Sequence, residues 1–265
     1  MRILVPSERV PGERRVAVLP TTVASFTQLG LEVEVQSGAG AHAFAADADY
    51  EKAGARVVGE SDLTAALAGA DVVASVRPLD PSLAAKVRAG TVCVSFLSPT
   101  TDTATISAVA SAGATALSFD LVPRISRAQS MDALTSQALV TGYRAALVAA
   151  DRLPTFFPLF MTAAGTIQPA KVLVLGAGVA GLQAIATAKR LGAKVSAYDV
   201  RPASADEVKS MGATFITLDL ESLEGTGGYA REMTEDRAQR QRELLAPYVA
   251  ASDVLITTAA LPGRR

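Results

Sequence analysis

Seven glycines, Gly30, Gly54, Gly69, Gly90, Gly113, Gly192 and Gly212, each close a stretch of helical character and precede, within a residue or two, a β-branched run. A glycine after a helix supplies the left-handed residue that ends it, so the chain reads as alternating helices and strands. Alternation of that kind packs into parallel sheets covered by helices on both faces. The expected fold class is therefore α/β, with two doubly wound parallel-sheet domains. They are expected over residues 1–135 and 136–265.

The stretch Lys171–Asp199, KVLVLGAGVAGLQAIATAKRLGAKVSAYD, narrows the second domain further. Lys171–Leu175 has the short apolar run of a parallel strand buried on both faces. Gly176, Gly178 and Gly181 follow at once in the spacing G-x-G-x-x-G. There the first glycine permits the tight turn, the second lets backbone approach a pyrophosphate, and the third lets helix pack closely on strand. Leu182–Arg190 reads as the helix, whose N-terminus offers unpaired N–H groups and the positive end of its dipole to phosphates. Lys194–Tyr198 reads as the next strand and ends at Asp199, placed to accept from a ribose 2′-hydroxyl. An acid there favours NAD over NADP, since it repels a 2′-phosphate. The order of strand, glycines, helix, strand and acid points to a Rossmann dinucleotide-binding domain. The plainer alternative is a glycine turn that only packs a βα unit. Arg201 could serve a 2′-phosphate, but its place two residues after the acid suggests a wall of the adenine pocket.

The first domain is expected to open with strand Arg2–Pro6, a charged turn Glu8–Arg15 and a helix from Thr21 to Leu29. Arg14 and Arg15 could hold an anion or simply be solvated. Three more strands are expected from Asp71 to Asp120, with helices at Pro81–Arg88 and Asp102–Ala112. No phosphate loop accompanies them. Leu121–Gly142 then crowds polar groups just past a strand end, where open α/β sheets place ligands. Arg124, Arg127, Gln129, Asp132 and Thr135 could meet a carboxamide or phosphate. Equally, Asp132 could cap the helix Ala133–Asp151 and the arginines lie in solvent. That helix and Pro154, Pro158 and Pro169 read as a connection leading to the nucleotide domain near Ala170. Beyond Asp199, helix Ser204–Met211 and strand Thr214–Leu218 are expected, then the glycine-rich, charged Glu221–Asp236. The latter reads as a lid loop around Tyr229 or as a plain linker. Helix Ala238–Ala246 and strand Val254–Thr258 come last.

Composition excludes several classes. Net charge is −1, so no basic surplus attracts a nucleic acid backbone. No apolar run is long enough to span a bilayer, and Met1–Pro11 carries no signal-type apolar core, so no direct membrane insertion and a cytoplasmic location are expected. One histidine, His42, and one cysteine, Cys93, argue against a zinc site.

With Arg124–Asp132, Gly176–Arg201 and Gly227–Met233 read, the whole chain resembles the NAD(H)-binding component of proton-translocating NAD(P) transhydrogenase. RISRAQSMD at 124–132, VAGLQAIATAKRLGA at 179–193 and GGYAREM at 227–233 carry the resemblance. It implies that Arg124, Gln129 and Asp132 position the nicotinamide, with Arg127 and Thr135 beside them. Thr135 stands where the family typically has serine, which keeps a hydroxyl. It further implies that Gly176, Gly178, Val179, Ala180 and Gly181 hold the pyrophosphate and that Asp199, Val200 and Arg201 hold the adenosine ribose. Gly228, Tyr229, Gln241 and Ala260 would line or cover the site, Tyr229 on a mobile loop. The implied cofactor is NAD(H), with NADP(H) on a partner subunit. The implied partners are the NADP(H)-binding and membrane-spanning subunits and a second copy of the chain, and the implied place is the cytoplasmic face of the inner membrane. Members of that family also continue past the position of Arg265.

Alanine dehydrogenase is related in fold but differs in chemistry. Its substrate-binding lysine and proton-transferring histidine fall where this chain has Ser75 and Ser98, although the counterpart of its carboxylate-binding arginine, Arg15, is present. Oxidising an amine or alcohol releases a proton as well as a hydride and needs a positioned base. Passing hydride between two nicotinamides needs only that the rings be held together. The amide, guanidinium and hydroxyl groups of Leu121–Gly142 are of the positioning kind. A transhydrogenase subunit is thus the first expectation, an alanine-type dehydrogenase the second, and a non-catalytic NAD(H)-binding subunit the third.

Overall fold

A computed structural model of the chain describes residues 1–220 and 234–258. By its internal contacts it separates into two units, Met1–Asp132 and Ala133–Arg265.

In the first unit the chain runs β1 (Arg2–Val5), α1 (Pro20–Gln28), β2 (Glu32–Gln36), α2 (Asp47–Lys52), β3 (Arg56–Val58), α3 (Leu63–Gly69) and β4 (Val72–Ala74). It continues through α4 (Pro81–Ala84), β5 (Val92–Ser95), α5 (Ala104–Ser111) and β6 (Thr115–Ser118). The strands form one sheet in the order β3-β2-β1-β4-β5-β6, every pair parallel. Because side chains alternate across a strand, β1 feeds two cores: Ile3 and Val5 pack with Val33, Val35 and Tyr50, while Leu4 packs on the other face with Leu67, Val73 and Cys93. The order reverses between β1 and β4, which opens a crevice at their carboxyl ends.

The second unit begins with α6 (Ala133–Arg152) and a two-stranded antiparallel hairpin, β7 (Phe160–Thr162) and β8 (Gly165–Ile167). It continues with β9 (Lys171–Leu175), α7 (Val179–Arg190), β10 (Lys194–Tyr198), α8 (Ser204–Ser210), β11 (Thr214–Phe215), α9 (Glu235–Ala250) and β12 (Val254–Thr257). Its parallel sheet is ordered β11-β10-β9-β12, reversing between β9 and β12. Val172 and Val174 of β9 face one core with Ala184, Ile185 and Ala188 of α7; Leu173 faces another with Tyr198, Ile216 and Leu245. The α/β class with parallel sheets is as the glycine rhythm implies.

Several elements differ from the sequence reading. Six of the seven punctuating glycines take positive φ, but Gly69 does not. It ends α3 as an ordinary helical residue, and a Cβ there would meet the Arg2 guanidinium, the far end of a flexible side chain, at 2.8 Å. Helix α4 stops at Ala84 because Lys86 and Val87 bond back only three residues, to Leu83 and Ala84, in tightened turns. Strand β11 pairs over two residues only. Helix α6 is more than a connection: it packs along α7, with Gly142 so close that a Cβ would lie 2.0 Å from the Ala180 carbonyl oxygen. The division between the units accordingly falls just before α6, and the proline-rich stretch that follows contains the hairpin.

Candidate functional site

The glycine turn is built by three local constraints. Gly176 sits at φ +98°, which lets the chain leave β9 and turn into α7. The Thr258 hydroxyl, just past β12, donates to the Gly176 carbonyl at 2.8 Å and pins it. Gly181 lies in the first turn of α7, which starts at Val179, three residues earlier than the sequence suggests. A Cβ on Gly181 would stand 1.8 Å from the Gly176 oxygen, so helix and strand touch backbone to backbone there. Gly178, the residue before α7, is the opposite case: nothing lies within 4 Å of where its Cβ would be, and no side chain caps the helix. Open backbone ahead of a twelve-residue helix is what a pyrophosphate requires, so these residues fit the dinucleotide that their spacing implies.

Asp199 closes the turn from the neighbouring strand. Its carboxylate accepts from the Ala177 N–H at 2.7 Å, tying the glycine loop to the end of β10. It also accepts from the Arg201 N–H, Nε and a terminal guanidinium nitrogen, each at 2.9 Å. The sequence reading takes Arg201 as a pocket wall; in the structure its guanidinium is also the ion-pair partner of that acid. Burial alone would lift the Asp199 carboxyl, but the Arg201 side chain and the Ala177 and Arg201 N–H groups outweigh it and hold the pKa below the usual range. A depressed carboxyl stabilises the fold in full above its ordinary pKa, and the contribution is lost as pH falls through the folded value. Asp199→Asn should therefore cost about 2 kcal/mol near neutral pH, as loss of a charged hydrogen-bond partner does, and should flatten the decline of unfolding temperature in acid. An acid decline parallel to that of the unsubstituted chain would show that the pair contributes nothing.

Gln241 on α9 lies near this corner: its side-chain oxygen accepts from the Tyr198 hydroxyl and from Arg237, both at 3.1 Å. Thr234 caps α9, accepting from the Arg237 N–H. Gly228, Tyr229 and Ala260, and with them the GGYAREM stretch, lie outside the described residues.

Arg124, Arg127, Gln129 and Asp132 belong to the first unit, and Thr135 to the second. Residues Ser126–Met131 wind into a 3-10 helix anchored by buried Ala128. Side chains three apart eclipse in such a helix, which sets Ser126, Gln129 and the following Asp132 along one edge. Arg124, Arg127 and Gln129 are exposed; Asp132 and Thr135 are half-buried. No sequence pattern signals this winding, since its bonds are short-range and its burial rests on one alanine.

The crevice at the β1/β4 reversal is a cavity of about 380 Å³ lined by Ser75, Arg77, Ser98 and Glu8, among others. Glu8, which in the sequence is only one member of a charged turn, has its carboxyl pushed up by burial despite accepting from the Val76 and Arg77 N–H groups at 2.6 and 3.1 Å. Arg15 is held by Glu13 through Nε at 2.7 Å and a terminal nitrogen at 2.6 Å, and the Arg15 side chain keeps the Glu13 pKa down to about 2. The Ser75 hydroxyl donates to the Arg77 carbonyl. Arg14 lies over the Phe44 ring at 5.9 Å. Both turn arginines thus have a contact within the chain. Among the described residues no cluster of three or more histidine, cysteine or acidic side chains could hold a metal, and no helix is long and apolar enough to cross a membrane.

Two family models match, described as alanine dehydrogenase/PNT N-terminal domain over residues 4–141 and alanine dehydrogenase/PNT C-terminal domain over residues 145–265. The chain is 46% identical over 272 residues to an NAD(P) transhydrogenase subunit alpha chain of Rhodospirillum rubrum, covering all of this chain and 70% of that one. It is 32% identical over 218 residues to alanine dehydrogenase of Mycobacterium tuberculosis, covering 81% of this chain and 57% of the other. A solved structure of transhydrogenase from Sinorhizobium meliloti superposes with a TM-score of 0.88 at 42% identity, over all of this chain and 71% of that one.

Proposed function

The chain belongs to the alanine dehydrogenase/PNT family, and on that premise we propose that it is the NAD(H)-binding subunit of a proton-translocating transhydrogenase. In this reading it passes hydride from NADH to NADP+ held on a partner subunit. It works with membrane-spanning partners at the cytoplasmic face of the inner membrane. Bound NADH would supply the hydride; the chain's own residues only bind, orient and exclude water. Gly176, Gly178 and Gly181 shape the turn, the first N–H groups of α7 face the pyrophosphate, and Asp199 receives the ribose. Arg124, Gln129 and Asp132 position the nicotinamide, with no base required, because hydride passes from one ring to another. The observation that carries the dinucleotide reading is the open backbone at Gly178 beside the closed one at Gly181. A homodimer finds support in the hairpin, whose strands are exposed throughout and carry Phe160, Met161 and Ile167 into solvent next to Phe156 and Leu159.

The similarity to an alanine dehydrogenase makes amino-acid oxidation the second reading. Arg15 tied to Glu13, and Ser75 bonded to a backbone carbonyl, argue against it. Mixing the protein with the NADP(H)-binding partner and following NADH-dependent reduction of an NADP analogue separates the readings. Alanine-dependent formation of NADH without the partner would move the assignment to the dehydrogenase.

Cofactor preference follows from the same corner. NADH should bind more tightly than NADPH, and Asp199→Ala should narrow the ratio of dissociation constants by about fivefold, the worth of unit charges about 4 Å apart in water. Calorimetric titrations giving equal constants in the unsubstituted chain would contradict this.

A further inference from the structure

All the acceptor positions of Asp199 are taken by the chain itself. A carboxylate offers about four lone-pair sites. Here they receive four donors: the Ala177 N–H and a terminal Arg201 nitrogen on one oxygen, the Arg201 N–H and Nε on the other. Two of the four are backbone groups fixed by the glycine turn and by the residues that follow β10. The other two sit on the Arg201 guanidinium, at the end of a flexible stem and 21% exposed, against 6% for the Asp199 side chain. The two backbone donors cannot leave without disturbing the turn, whereas the guanidinium is carried by a side chain.

We propose that Arg201 is a displaceable occupant of the ribose-binding oxygens of Asp199, and that it sets how strongly the chain distinguishes a 2′-hydroxyl from a 2′-phosphate. The inference rests on the dinucleotide reading and deepens it. Two ribose hydroxyls can replace the two guanidinium N–H donors, so the number of hydrogen bonds is preserved. The charge is not preserved: an ion pair in fork geometry gives way to neutral donors. NADH therefore binds against the pair and more weakly than it would to a bare aspartate. The same pairing offsets part of the charge that repels a 2′-phosphate and leaves a guanidinium beside it. Arg201 thus acts in opposite directions on the two nucleotides, weakening NADH and softening the rejection of NADPH.

Titration of the full chain with NADH and with NADPH, followed by nucleotide fluorescence and calorimetry, tests this with Arg201→Ala, Arg201→Gln and Arg201→Lys. Removing the guanidinium should lower the NADH dissociation constant by about fivefold, the upper end for a partly exposed ion pair, and raise that for NADPH. Arg201→Lys, which keeps the charge but not the fork, should fall between. Thermal unfolding identifies any variant that fails to fold, and Arg201→Gln retains most of the stem should Arg201→Ala do so. A loss of affinity for both nucleotides, or an unchanged ratio, would make Arg201 a supporting wall and overturn the proposal. An unsubstituted chain that binds neither nucleotide would remove the dinucleotide reading and this inference with it.

Discussion

Gly181→Ala is expected to unfold the nucleotide-binding unit, while Gly178→Ala is expected to leave it folded and unable to hold NADH. The two glycines are three residues apart in one motif and do different things. At Gly181 a methyl group would enter 1.8 Å from the Gly176 carbonyl oxygen, and 2.9 Å from the Thr258 hydroxyl that pins that carbonyl. Neither neighbour is the free end of a flexible side chain, so α7 must lift from β9, at a cost of about 3 kcal/mol or more. The core between them, with Val172, Val174, Ala184 and Ile185, opens in consequence. At Gly178 the methyl meets nothing within 4 Å and φ is −77°, so stability should change by less than about 0.5 kcal/mol. The methyl would, however, stand where phosphate approaches the N-terminus of α7. NADH affinity should fall about tenfold or more through lost bonds to a charged group. Thermal unfolding beside NADH titration reads both effects. Wild-type melting of Gly181→Ala would refute the packing role, and wild-type binding by Gly178→Ala would refute the pyrophosphate contact.

Gln129→Asn should slow hydride transfer by about a hundredfold while leaving the NADH dissociation constant within about threefold, because a small displacement of reacting rings is that costly. Gln129 is exposed and stands on the same edge of the 3-10 helix as Asp132, which is half-buried. A neutral amide can donate and accept toward a partner's ring without bringing an uncompensated charge into a closing interface. On the proposed reading, half-buried Asp132 would hold this subunit's own nicotinamide before any partner arrives. Asp132→Asn should weaken binding as well as rate. Single-turnover transfer to an NADP analogue on the partner, run beside titrations of each variant, separates the roles. A loss of NADH affinity in Gln129→Asn proportional to its loss of rate would make that residue an ordinary cofactor ligand.

Strands Lys171–Leu175 and Lys194–Tyr198 begin and end where the sequence places them, because a glycine beside each, Gly176 after the first and Gly192 just before the second, marks the break locally. The hairpin at Phe160–Ile167 leaves no such signal: its strands are three residues long and exposed on every position, so no alternation of apolar and polar residues marks them. Gly142 likewise reads as an unremarkable glycine inside a helix. Its meaning lies in the Ala180 carbonyl on another element, far along the chain.

By itself, the sequence determined the α/β alternation, the glycine turn and the acid after the second strand. Each depends on neighbours within a few residues, through backbone conformation and helix or strand period. Tertiary structure decided how those groups are engaged. Arg201 and Asp199 are two residues apart, as are Arg15 and Glu13, yet spacing alone does not say whether a guanidinium faces solvent, a ligand or the adjacent acid. In the folded chain both acids are largely buried, and a buried carboxylate is costly unless a donor meets it. The nearest flexible cation therefore turns inward onto each acid, Arg15 onto Glu13 and Arg201 onto Asp199.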